Sequence, residues 1–172
     1  MVPSCPARRR FAALSPHHEG LLGVAVKGAE QVRRRPISAP NQPTSSVRPV
    51  LTWNLGDLFE GVVDAVGDRL AVVAGPMRLT FDQLDERASR LAHALEAEGV
   101  GAGDHVAVSL RNGNEYLEAM LAAFKLRAIP INVNTRYTVD ELHHVLDDAG
   151  ARLLLHDPDL AARLDDGGDD RP

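Results

Sequence analysis

Cysteine is nearly absent from this chain. Cys5 is the only one in 172 residues, so no intrachain disulfide can form, and its proline-flanked, polar surroundings offer no nucleophile or metal constellation. A reducing cytoplasm is the expected location. Lysine is scarce too, with only Lys27 and Lys125 against seventeen arginines, a skew typical of a GC-rich coding sequence. Long apolar runs are missing. The longest early one, residues 21–26, falls far below the roughly 20 residues of a membrane helix and is short even for a signal-peptide core. A soluble, unexported protein with no membrane span is therefore expected.

Clustered positive charge is lacking where a fold would present it. Residues 1–52 hold eight Arg or Lys against Glu19 and Glu30, and residues 53–172 hold eleven against twenty-two acids, for a net charge of −5. Neutralising phosphates requires basic side chains on a folded face, so an acidic main body excludes nucleic acid as a partner.

What is present suits one soluble globular domain: 44% hydrophobic and 25% charged residues. Residues 1–50 stand apart, with seven prolines, two Arg triplets and no sustained apolar period. Ordering such a stretch costs about 1–2 kcal/mol per residue in backbone entropy, more than its burial returns. It is expected to be a disordered Arg/Pro-rich leader. A solvated tail or translation from an upstream start is the simpler account. The acid-poor composition also fits an organellar transit peptide or contact with acidic surfaces.

From Trp53 the pattern changes. Asn54 is placed to cap a helix whose apolar face runs through Leu55, Leu58, Phe59, Val62 and Val66, before Gly67 stops it. A strand over 70–74, the Gly75-Pro76 turn and a partner over 78–81 make a hairpin. Thr80 with Gln83 forms a capping box, and the stripe Leu84, Ala88, Leu91, Leu95 runs to Gly99. Spacing then predicts a strand over 105–110, a helix over 115–127 and a strand over 129–133. Thr138 with Glu141 opens another helix, which ends near Gly150, and a strand over 152–156 follows. Asp157-Pro158 can start one more helical turn, and residues 165–172 read as a disordered acidic tail. Alternating strands and helices imply an α/β fold: a parallel sheet with right-handed crossovers and flanking helices. The pattern stops before such a sheet is complete.

In open α/β sheets, ligands bind beyond the carboxyl ends of the strands. The loops there hold Arg111, Asn112, Gly113 and Asn114, then Asn134, Thr135, Arg136 and Tyr137. These amides and guanidinium groups can meet a phosphate or an acyl substrate. The plainer reading makes Asn114 the cap of the next helix and Arg111 a solvated side chain. His93, His105, His143 and His144 lack carboxylates at metal-ligand spacing, so no metal site is proposed. Gly99, Gly101 and Gly103 follow a helix and precede a strand, the reverse of a phosphate loop. Asp147-Asp148 and Asp165-Asp166 are sequence neighbours that point apart, and no Gly-x-Ser-x-Gly elbow occurs.

Several runs nevertheless form a recognisable set. Residues 79–84 (Leu-Thr-Phe-Asp-Gln-Leu) resemble the first core motif of the adenylate-forming superfamily, Leu-Thr/Ser-Tyr-x-Glu-Leu, with Phe81 and Gln83 as mild departures. Residues 87–95, 103–107 and 124–134 are similar to successive landmarks of AMP-forming acyl-CoA synthetases. The Asn-Val-Asn-x-Arg-Tyr form at 132–137 is closest to bacterial fatty-acyl or steroid-side-chain synthetases, although Thr135 stands where Tyr is common. The resemblance covers about residues 53–164, so 51–164 is expected to be a partial AMP-binding domain.

That resemblance implies a parent enzyme that activates a carboxylate with ATP and Mg2+ to an acyl-adenylate and then transfers the acyl group to CoA. It also implies what this chain lacks: the Ser/Thr-rich glycine loop for the phosphates, the ribose-binding Asp segment, the hinge, and the C-terminal domain with the catalytic lysine. Lys125 is not that lysine by position. The chain is accordingly expected to be a truncated synthetase, inactive alone, with no catalytic residue and no cofactor of its own. Asn132, Asn134 and Arg136 are the candidates for lining the substrate or CoA side. The alternative is a non-enzymatic α/β interaction module docking on another synthetase subunit. Under either reading, the expected partner is a complementary synthetase fragment or a second copy, met through an exposed sheet edge.

Overall fold

Three of the helices begin at the sequence's own punctuation. In a computed structural model that describes residues 11–14, 23–27 and 53–160, the elements are β1 (Phe11–Leu14), β2 (Gly23–Lys27), α1 (Leu55–Val66), β3 (Leu70–Ala74), β4 (Met77–Thr80), α2 (Phe81–Ala97), β5 (His105–Ser109), α3 (Asn114–Lys125), β6 (Ile129–Asn132), α4 (Val139–Asp148) and β7 (Leu153–His156). Asn54, Thr80 and Thr138 each cap a helix reciprocally with the residue three positions on, Asp57, Gln83 and Glu141. Two backbone donors that the helix leaves open are satisfied each time, worth about 1 kcal/mol per cap.

Helices α2, α3 and α4 share one device at their C-terminal ends. Val100 donates to Leu95 O, Ala128 to Ala123 O and Ala151 to Leu146 O, around residues with positive φ at Gly99, Arg127 and Gly150. This is the six-to-one bond that closes a helix through a left-handed residue. Arg127 takes a conformation that costs a side-chain-bearing residue about 1 kcal/mol.

Strands β5, β6 and β7 are parallel, in the order β7-β5-β6. The chain moves from β5 to β6 in one direction and from β6 back past β5 to β7 in the other. Right-handed crossovers then put α3 and α4 on opposite faces of the sheet. On one face Val106, Val108, Leu153 and Leu155 pack with Ala92 and Leu95 of α2 and Ala119, Ala122 and Ala123 of α3. On the other, Ala107, Leu154 and Val133 meet Leu142 and Leu146 of α4, together with Leu160. All four residues of β7 are buried. Each buried Val or Leu contributes about 1.5–3 kcal/mol before entropy is counted.

The hairpin β3–β4 forms a separate two-stranded sheet beside α2. Helix α1 is held at its start by α3. Asn54 Nδ2 donates to Phe124 O at 3.0 Å, and Arg127 donates to both carboxylate oxygens of Asp57 at 3.0–3.1 Å. A Cβ on the buried Gly56 would lie 3.1 Å from the Phe124 carbonyl carbon, so a larger residue there would press on the α3 backbone by a few tenths of an ångström. The Phe59 and Phe81 rings add a tilted contact at 6.2 Å.

Two stretches within the expected leader, residues 11–14 and 23–27, are strands. β1 and β2 form an antiparallel pair, and β2 pairs antiparallel with β7, giving the sheet order β1-β2-β7-β5-β6. The long-range ladder supplies what local composition could not reveal. The rest of 1–50, and the acidic tail over 165–172, lie outside the described residues.

Candidate functional site

The loops after β5 and β6 leave toward opposite faces of the sheet, because α3 and α4 lie on opposite sides. Such a divergence opens the crevice in which parallel sheets hold ligands. The sequence candidates fall here. Asn132 ends β6 and is exposed, as are Asn134 and Arg136. Asn134 Oδ1 accepts the Arg136 backbone N–H at 2.9 Å, and Tyr137 N–H donates to Asn134 O at 3.2 Å. The Asn134 side chain therefore closes the turn that delivers the chain to the Thr138 cap.

Across the crevice, Arg111 is tied to the segment after β7. Its backbone N–H donates to Asp157 at 3.0 Å and its guanidinium to Asp159 at 2.6 Å, both side chains of that ion pair being mostly exposed. Asn114 differs from the expected cap. Gly113 occupies that position without a side-chain bond, and Asn114 is the first residue of α3, 4% exposed. Its Nδ2 donates to Glu118 Oε1 at 2.8 Å, and the same oxygen accepts Arg87 Nε at 2.7 Å. The hydrogen bond to Glu118, which outweighs the burial that opposes it, raises the Arg87 pKa further. Sequence reasoning missed this network. Asn114 and Glu118 are one turn apart and face the same way, but nothing local marks Arg87 on another helix as their partner.

A concavity of about 370 Å³ opens between the β3–β4 turn and the loop before α3, lined by Ala74 to Met77 and Asn112 to Glu115. Its only charged lining residue is the acidic Glu115. Lys125 belongs elsewhere: its Nζ lies 2.6 Å from Glu60 and 2.8 Å from Asp85. Neither that concavity nor Lys125 offers a cationic cradle that fits a nucleotide's phosphates. Nor do three His, Cys, Asp or Glu side chains converge on a metal position among the described residues. No helix among them is long and apolar enough to cross a membrane.

Comparison with known proteins places this geometry. Residues 59–171, well over half of the chain, match the family model described as AMP-binding enzyme. The chain is 45% identical over 107 residues to 3-oxocholest-4-en-26-oate–CoA ligase of Rhodococcus rhodochrous, covering 62% of this chain and 19% of that protein. It is also 45% identical over 111 residues to a medium/long-chain-fatty-acid–CoA/3-oxocholest-4-en-26-oate–CoA ligase of Mycobacterium marinum, covering 64% and 20%. Among solved structures, the inhibitor-bound N-terminal domain of FACL13 from Mycobacterium tuberculosis aligns with a TM-score of 0.57 at 29% identity, over 59% of this chain and 26% of that one. The N-terminal subdomain of Klebsiella oxytoca NpsA, in complex with anthranilyl-AMSN, aligns at 0.55 and 30%, over 58% and 26%. The chain thus spans about a fifth of the length of the curated relatives it matches, and the two solved neighbours are an N-terminal domain and an N-terminal subdomain. With the motif run, the crossover sheet and the family match in agreement, this chain belongs to the AMP-binding enzyme family, alongside the acyl-CoA ligases.

Proposed function

We propose that this chain carries the opening part of an AMP-forming acyl-CoA ligase, with residues 51–164 as a partial AMP-binding domain, and that it does not catalyse the reaction alone. The match over residues 59–171 carries this reading. The whole ligase couples ATP, with Mg2+, to a fatty or related carboxylic acid and passes the acyl group to CoA. The part in hand supplies scaffold. Asn132, Asn134 and Arg136 line the substrate or CoA side of the crevice, and the location is the cytoplasm.

The partner in this reading is a polypeptide that supplies the rest of the ligase. Support comes from helix α1. Trp53, Leu55, Leu58 and Val62 are 41–65% exposed, an apolar stripe that a globular surface normally covers. The relatives carry about four fifths of their length beyond the aligned segment, ample chain to cover it. A non-enzymatic module docking on a separate synthetase subunit would use the same stripe.

The test titrates the full chain with ATP and Mg2+ by calorimetry and follows pyrophosphate release with fatty acids and CoA. The same assay is repeated after co-expression with the remaining four fifths of the Rhodococcus ligase. Silence alone and turnover in combination support the reading. Turnover by the chain alone overturns it, and binding to the larger piece without turnover favours the non-enzymatic module.

A further inference from the structure

Within the parallel part of the sheet, β7 is an outer strand: in the order β7-β5-β6 only β5 lies beside it. In the whole sheet it is interior, because β2 runs antiparallel along its other side, with Val26 opposite Leu153, Ala25 opposite Leu154, Val24 opposite Leu155 and Gly23 opposite His156. The bonding pattern follows from one bond. Arg152 N–H donates to His105 O on β5. Backbone groups alternate along a strand, so Leu154 also faces β5 while Leu153 and Leu155 turn their N–H and C=O groups toward β2. Their partners Val26 and Val24 face β7 in return, and Ala25 faces β1.

An all-buried strand such as Leu153–His156 with a bare edge would be a template for pairing with any extended chain. Both covering strands precede residue 59, outside the segment matched to the family. The seven prolines of residues 1–50 all miss these strands, and Pro16 falls in the connection between them. A proline inside β2 would delete a ladder donor.

We propose that the β1–β2 hairpin is an intramolecular strand cap, which pairs with the donors and acceptors on the open edge of β7 and keeps that edge from pairing with a second copy of the chain. The proposal stands apart from the ligase reading, since it concerns residues outside the family match and needs no substrate.

Hydrogen exchange on the full chain tests it first. The Leu153 and Leu155 amides are expected to exchange as slowly as those of β5. Val24→Pro removes the donor to Leu155 O, and the Leu155 amide, whose own acceptor on residue 24 is held in place by that paired bond, is expected to exchange about tenfold faster or more as the pair opens. Ala25→Pro removes a donor to β1 and leaves Leu155 within about twofold of the unmodified chain, by the same alternation. Size-exclusion chromatography should show the full chain as a monomer and Val24→Pro as a dimer or larger. A Val24→Pro variant with an open Leu155 amide that stays monomeric would overturn the claim that the edge pairs with a second copy.

A disulfide pair keeps the test decisive if Val24→Pro also unfolds β5. Ala25 and Leu154 form the non-hydrogen-bonded pair, whose Cα atoms lie about 4.5 Å apart in such ladders and suit a bridge. With Cys5→Ser, the double variant Ala25→Cys/Leu154→Cys should oxidise to an intramolecular disulfide. No disulfide, only an intermolecular one, or fast exchange at Leu153 and Leu155 in the unmodified chain would overturn the cap.

Discussion

Lys125 Nζ sits between two carboxylates from two other helices, 2.6 Å from Glu60 of α1 and 2.8 Å from Asp85 of α2, with its side chain only 12% exposed. One of the chain's two lysines therefore joins three helices. Lys125→Met keeps the aliphatic stem but leaves the carboxylates facing each other. Because Asp85 is largely buried, the loss should be about 1–3 kcal/mol, read as a lower urea midpoint. Adding Asp85→Asn should recover part of it, since the uncompensated buried charge is then gone.

The same contact predicts an alkaline transition. Burial pulls the Lys125 pKa down, but the interactions of its ammonium with the Asp85 and Glu60 carboxylates outweigh it and the net shift is upward. A raised folded value means that the stabilisation is complete below the ordinary lysine pKa of about 10.4 and is lost as pH rises through the folded value. The difference in urea midpoint between the native chain and Lys125→Met should stay constant up to about pH 10 and close above it. A difference that closes well below pH 10 would contradict the assignment.

Asp57 behaves in the opposite sense. The Asn54 backbone N–H, reinforced by Arg127, holds its carboxyl below the usual carboxylate range. Its contribution to the α1 cap is present above the ordinary Asp value of about 3.9 and disappears as pH falls through the lowered folded value. Trp53, the single tryptophan, immediately precedes the cap. Its emission should shift in an acid step that Asp57→Asn abolishes and that Arg127→Gly moves to higher pH.

Glu118 accepts from both Arg87 and Asn114 while 5% exposed. Glu118→Ala strands two donors and should cost about 1–3 kcal/mol in thermal or urea unfolding, the range for a buried partner lost from a partly exposed charge. Glu118→Gln keeps the volume and an acceptor oxygen and should cost less. Equal losses would mean that the charge contributes nothing.

At the crevice, Asn134→Ala removes the acceptor that closes the turn and should lower stability by about 0.5–1.5 kcal/mol. Asn132→Ala and Arg136→Ala, both at exposed positions, should stay within about 0.5 kcal/mol. Denaturation midpoints of the three variants, measured side by side, distinguish turn-building from surface positions.

The parts of this fold that could be read beforehand are those whose causes lie within a few residues. Asn54, Thr80 and Thr138 act on the backbone three positions away, and Gly99 and Gly150 end helices through their own φ. Alternation of strand and helix then pointed to parallel strands, though not to their order. What escaped depends on distant partners: Arg87 meeting Glu118, Lys125 reaching Glu60 and Asp85, and β2 finding β7. Asn114 escaped for another reason. Its residue type favours a cap, but Gly113 holds that position and the burial of Asn114 beside Glu118 assigned it a different role.

The pairing of β2 with β7 also sets a time order. Val26 leaves the ribosome long before Leu153, whereas β5, α3, β6, α4 and β7 emerge in succession and can assemble among themselves. The hairpin must wait until β7 has been made for its place in the sheet, and closing so long a loop is entropically slower than any contact within the crossover units. On this loop-length argument β7 is expected to dock on β5 before β2 reaches it, leaving its edge bare in between.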